Sequence, residues 1–189
     1  MGVMAGRPRT FDRDEVLILA MERFWRDGYE ATTVSKLTAE MGITPPSLYA
    51  AFGDKDQLFD AAATCYFDTV SAATAHVLEE PTALEAVTRL LRTTAAAHTD
   101  PATPPGCFML TEPRLADRRE LLRRQIAERL ERGIREGDLP PGSSADGIAG
   151  FLIAVLGGMS ARARDGGSRE DVDAIVTMAI AAMPRPVAS

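Results

Sequence analysis

The chain has 189 residues, 46% of them apolar and 25% charged, a balance that excludes wholesale disorder and fits one large globular domain or two small ones. The net charge is −6, and residues 1–60 hold seven Lys and Arg against ten Asp and Glu. A broadly basic surface is therefore excluded, and any nucleic-acid contact must come from a narrow patch.

The opening stretch MGVMAGRPRTF has no apolar run of the kind a signal peptide needs. Asp12 and Glu15 then read as a capping pair for a first helix, with Val16, Ala20 and Phe24 on one apolar stripe until Gly28. Thr32 or Thr33 opens a short second helix that buries Val34, Leu37 and Met41, and Gly42 suits its C-terminal turn. Thr44 followed by Pro45 starts a short third helix, because proline at the first helical position gives up only an N–H that has no partner there. That helix stops at Gly53. Asp54 and Gln57 cap a long fourth helix reaching about residue 78, and Thr82 with Glu85 opens a fifth that ends near His98.

The segment 100–106, DPATPPG, is a loop by composition, and a short sixth helix is expected over 107–112. Asp117 with Glu120 caps a seventh helix, striped by Leu122, Ile126, Leu130 and Ile134 and closed by Gly137. Its arginines (Arg118, Arg119, Arg123, Arg124, Arg129, Arg132 and Arg135) alternate with Glu120, Glu128 and Glu131 and read as a solvated face of i,i+4 pairs. Ser143 with Asp146 begins an eighth helix and Ser168 with Asp171 a ninth. No repeat and no strand-like alternation occurs, so the fold class is all-α.

Residues 32–53 thus hold two short helices joined by a tight turn at Met41, Gly42 and Ile43, the layout of a helix-turn-helix. Such a pair cannot bury its own apolar face, and the first helix brings Phe24, Trp25 and Tyr29 to support it. The run from Gly6 onward resembles the DNA-binding domain of the TetR family of regulators. The resemblance rests on FWRDGYEATTV at 24–34, the turn MGIT at 41–44, and SLYAAFGDKDQLF at 47–59. It implies a helix-turn-helix domain over residues 1–60 and a helical effector-binding and dimerisation domain over 61–189.

The resemblance also implies residue roles. Thr33 at the start of the second helix and Lys55 just past Gly53 match phosphate contacts. Thr44, Pro45, Pro46 and Ala50 fall where the third helix faces base edges, and Ser47 and Tyr49 place hydroxyls for phosphate or base contacts. Arg7 and Arg9 lie on an arm that would enter the minor groove. One departure stands out: this reading face has no Arg, Lys, Asn or Gln for bidentate base contacts, so thymine methyl groups and DNA shape must carry more of the recognition.

The expected function is a cytoplasmic, homodimeric transcriptional repressor on a palindromic double-stranded DNA operator, released by a small-molecule effector. A mainly apolar effector would be lined by Phe67, Val70, Leu91, Phe108, Met109 and Phe151. The dimer seam would be Ile148, Leu152, Val155 and Met159 on the eighth helix with Val172, Ile175, Val176 and Ala179 on the ninth. Two alternatives stand beside this: control by a protein partner or by thiol oxidation, and an all-α protein or enzyme without DNA binding. No catalytic cluster, metal-ligand spacing or phosphate loop occurs, so no enzyme, metal or cofactor is expected. Cys65 and Cys107 are too far apart in sequence to form a CxxC pair, and His76 and His98 read as surface or satisfied core residues. The longest apolar run, 147–159, is shorter than the about 20 residues of a membrane span, so no membrane partner is expected.

Overall fold

A computed structural model describes residues 11–185, and every regular element in them is helical. The chain divides into two compact units, Met1–Ala62 and Ala63–Ser189, with the division inside α4 (Lys55–Leu78).

The first unit is built from α1 (Arg13–Ala31), α2 (Val34–Met41), α3 (Pro45–Phe52) and the start of α4. Asp12 caps α1 by accepting from the amides of Asp14 and Glu15. Gly28 breaks the helix with φ 78° and ψ 168°, and a last turn runs on to Ala31. Phe24 and Leu48 are fully enclosed, and the rings of Phe24 and Phe59 meet edge to face at 5.2 Å. Tyr29 packs its ring on Phe59 at 5.1 Å. This aromatic cluster holds α1 against the start of α4, since large rings bury the most apolar area per residue and edge-to-face contact adds to it.

The second unit comprises the rest of α4, α5 (Ala83–His98), α6 (Phe108–Thr111), α7 (Ala116–Glu136), α8 (Ala145–Arg164) and α9 (Arg169–Ala181). A 3₁₀ turn at Pro113–Leu115 precedes α7. The core is aliphatic: Leu91, Ile126, Leu130, Leu152 and Met159 are all fully enclosed. α8 packs on α5, α6, α7 and α9, and α5 packs on α9. Thr82 with Glu85 and Ser168 with Asp171 form reciprocal capping boxes at α5 and α9.

The structure departs from the sequence reading at two helices. α7 starts at Ala116, two residues before the Arg118 start that an Asp117 cap implies, because the 3₁₀ turn feeds directly into it and Leu115 makes no side-chain cap. α8 is capped by Ser144, which accepts from the Gly147 amide, and not by Ser143. At 20 residues α8 is also longer than the apolar run that marks it, and by length and composition alone it could cross a membrane; here it packs within a helical unit. The face of α7 is not uniformly solvated either, since Arg129 is only 4% exposed.

Gly106 shows why the 100–106 loop needs its glycine. Its φ is +77°, and a Cβ there would lie 2.6 Å from the Ser160 hydroxyl and 2.8 Å from the Ser160 carbonyl oxygen. The next residue uses the same approach: the Cys107 amide donates to the Ser160 hydroxyl at 2.8 Å, locking α6 onto α8.

Candidate nucleic-acid interface

Local chemistry fixes the two short helices of the first unit. The Thr33 hydroxyl accepts from the Lys36 amide at 3.2 Å and starts α2. Gly42 ends it in the left-handed region at φ 65°, with its amide donating to the Thr38 carbonyl. A residue with a Cβ would be strained at this φ even though nothing crowds the site, so the turn between the helices depends on glycine. The Thr44 hydroxyl accepts from the Ser47 amide at 3.4 Å and lies 2.9 Å from the Ser47 hydroxyl, so these two side chains hold each other at the start of α3. Leu48 and Phe52 turn inward, which leaves the opposite face of α3 to solvent.

On that outer face Thr44, Pro45, Pro46 and Ala50 are exposed, Ser47 is half-buried, and Tyr49 is 48% exposed. Thr33 is exposed at the start of α2. The structure therefore gathers eight of the ten residues predicted to touch DNA on or beside α2, α3 and the start of α4; Arg7 and Arg9 lie outside the described residues. The reading surface is small, hydroxylated and apolar, and it carries no bidentate donor.

Lys55 is held in place by a residue that the sequence marked only as supporting bulk. Its Nζ sits 3.9 Å from the centre of the Tyr29 ring, and the Tyr29 hydroxyl donates to Asp56 at 2.7 Å. Tyr29 thus clamps the first turn of α4, a role that FWRDGYE alone does not signal because aromatic packing and ring–cation contact leave the same mark in sequence. Arg13 plays a comparable part at the other end of the first unit's helix pair. It lies over the Phe52 ring at 4.6 Å and donates to the Ala51 carbonyl at 3.4 Å, tying α1 to the end of α3.

A family model, bacterial regulatory proteins of the tetR family, matches residues 16–62. The repressor ComR of Escherichia coli (strain K12) is 34% identical over 179 residues, covering 87% of this chain and 85% of ComR. The chain belongs to the TetR family. The repressor BdcR of the same organism is 30% identical over 182 residues, covering 92% of this chain and 90% of its own. A cysteine mutant of the TetR family transcriptional regulator CifR, solved in complex with 26-bp double-strand operator DNA, superposes with a TM-score of 0.90 at 38% identity. That match covers 95% of this chain and all of CifR's. This TetR-family chain is a DNA-binding transcriptional regulator, and its helix-turn-helix is the α2–α3 pair.

The residues named for the effector pocket do not converge on one cavity. Leu91, Phe108 and Met109 are enclosed in the core, and Phe67 is half-buried on α4 under the Arg118 guanidinium, 4.7 Å from its ring centre. Phe151 is 42% exposed on α8. Val70 alone of the six lines the groove of about 340 Å³ between α4 and α5, together with Val77, Leu90 and Thr74.

The predicted dimer seam is out of register with the surface. Leu152, Met159, Val172, Val176 and Ala179 face the core of their own unit, and Ile148, Val155 and Ile175 are half-buried at its edge. The apolar strip that does reach solvent is Phe151, Ala154 and Gly158 on α8 with Met178 on α9, the last 71% exposed. A helix apolar on nearly every side gives no sequence signal for which stripe faces in.

Proposed function

We propose that this chain is a repressor that occupies a palindromic operator as a homodimer and is released by a small molecule bound in its second unit. The observation that carries the reading is the likeness to CifR, which was solved on operator DNA, together with the repressor names of ComR and BdcR. In this reading α3 enters the major groove and α2 spans the backbone. Thr33, Ser47, Tyr49 and Lys55 grip phosphates, Thr44, Pro45, Pro46 and Ala50 meet base edges, and Arg7 and Arg9 add minor-groove contacts. Such a regulator works where the DNA is, in the cytoplasm.

The dimer forms through the exposed strip around Phe151 and Met178, flanked by Ile148, Val155 and Ile175, because an apolar two-helix surface is what obligate partners bury. The effector has a mainly apolar body and lies in the groove between α4 and α5. It releases DNA by favouring a dimer whose α3 helices no longer match one helical turn, about 34 Å. A coupling of about 1–3 kcal/mol suffices for a working switch.

The test separates positioning contacts from reading contacts. Lys55→Ala is expected to weaken operator and non-specific DNA alike and to lower the salt slope by about one per subunit. Ala50→Ser is expected to change the preferred bases and leave the salt slope unchanged. Unaltered affinity and salt dependence in Lys55→Ala would contradict this docking.

A further inference from the structure

The start of α3 is poor in hydrogen-bond donors. A helix start ordinarily presents free N–H groups to an acceptor. Here Pro45 and Pro46 have no N–H to give. The Ser47 amide donates to the Thr44 hydroxyl at 3.4 Å, and the Leu48 amide donates to the Thr44 carbonyl at 3.0 Å. Residues 45–48 therefore keep no backbone donor for a base or a phosphate.

The side chains of the same face add little directional bonding. Pro45, Pro46 and Ala50 are exposed and wholly apolar. The Thr44 and Ser47 hydroxyl oxygens pair at 2.9 Å, which commits one O–H to the pair and leaves the other to rotate. Tyr49, 48% exposed, carries a further hydroxyl. Lys36 on α2 supplies no base donor, because its Nζ donates to the Ala31 carbonyl at 2.9 Å. A hydroxyl both donates and accepts, so it bonds the O4 oxygen of thymine or the N4 amino group of cytosine alike.

In the major groove base pairs differ in their donors, their acceptors and, at thymine, a C5 methyl group. A face whose polar groups are hydroxyls separates donors from acceptors poorly. An apolar face separates methyl from hydrogen well, because covering the methyl removes it from water. Thymine is not alone in carrying that group: 5-methylcytosine bears the same methyl on the same ring carbon.

With α3 in the major groove, as the repressor reading has it, we propose that α3 recognises the C5 methyl group of a pyrimidine whichever base bears it, so that 5-methylcytosine is accepted where thymine is. Pro45, Pro46 and Ala50 supply the apolar contact, and the Thr44 and Ser47 hydroxyls adapt to either base. C5 methylation of a cytosine facing α3 then strengthens binding, and the regulator takes the methylation state of its DNA as an input.

The test uses the full-length chain and a duplex enriched by selection from random DNA, remade with one changed pair in each half-site. At an enriched thymine position four duplexes are titrated: T·A, deoxyuridine·A, 5-methylcytosine·G and C·G. Loss of the methyl should weaken binding about fourfold per half-site in both comparisons, thymine against deoxyuridine and 5-methylcytosine against cytosine, the factor given by one buried CH₂ group. Lys55→Ala should lower all four affinities by a common factor and leave those ratios in place, since a phosphate contact carries no base information. The deciding changes lie in the DNA, so the result does not hang on how a variant folds. An enriched duplex bound equally with and without its methyl groups, or a methyl effect at thymine with none at cytosine, overturns the proposal and leaves the helix-turn-helix docking standing. Absence of any enriched sequence overturns both.

Discussion

The two units of this regulator solve the problem of burial differently. In the first, aromatic rings fill the core and the two buried threonines are satisfied locally, Thr32 donating to the Gly28 carbonyl at 2.7 Å and Thr38 to the Val34 carbonyl at 3.0 Å. In the second, aliphatic side chains fill most of the core, and the enclosed polar groups include His98, whose Nδ1 has no hydrogen-bond partner, and Arg129, which reaches the carbonyls of Glu80 and Pro81. Their outer surfaces differ as well, hydroxyls and prolines around α3 against Phe151 and Met178 on α8 and α9. The buried imidazole and the apolar outer strip make the second unit the one in which effects of pH and of partners are expected.

The largest effect is expected from Phe24→Ala. Removing a fully enclosed ring that packs on Phe59 and Tyr29 should cost the first unit about 3–5 kcal/mol. DNA binding should vanish while sedimentation still gives the species that the second unit supports. Loss of both together would break the comparison, because the units would then be one cooperative body.

The contrast extends to acid sensitivity. Burial pushes the His98 imidazole down from 6.5 to about 4, so the folded chain holds it neutral where the unfolded chain takes up a proton. The contribution is complete above pH 6.5 and is lost as pH falls toward 4, a range worth on the order of 3 kcal/mol. Urea unfolding between pH 7.5 and 4.5 should show this loss for the second unit, and His98→Gln should flatten it. A pH dependence unchanged by His98→Gln would assign the acid sensitivity elsewhere.

A smaller effect is expected at the apolar strip. Met178→Asp should weaken self-association by about 2 kcal/mol per contact, the level of an interface residue that carries binding energy. Equilibrium sedimentation is the measure. An unchanged dimer would move the interface away from α8 and α9.

Much of the first unit was legible in the sequence because its signals are local. Asp12, Thr33 and Thr44 cap the helices they were expected to open, and Gly42 takes the left-handed turn. What escaped was contact across sequence distance. Tyr29 over Lys55 and Arg13 over Phe52 join residues 26 and 39 positions apart, and no short pattern encodes them. In the second unit the loss was greater. α8 is apolar around most of its circumference, so Leu152 and Met159 could not be told from Phe151 by periodicity, and the chosen seam fell half on the core side. Arg129 looked like its neighbours on α7 because helical pairing with glutamates is the same pattern whether or not the end of another helix covers one member. The 3₁₀ turn leads into α7 through Leu115, which carries no cap signature, so the Asp117 cap places the start of that helix two residues late.

The central claim is that paired α2–α3 units read an inverted repeat. Selection of bound sequences from random double-stranded DNA by the full-length chain tests it most directly. The account predicts a palindromic consensus whose half-site centres are one helical turn or a multiple of it apart, about 34 Å per turn, with recognition weighted toward thymine-bearing positions opposite Thr44, Pro45, Pro46 and Ala50. Recovery of a single asymmetric site, or of no enriched sequence at a salt concentration where the chain still binds DNA, would contradict it.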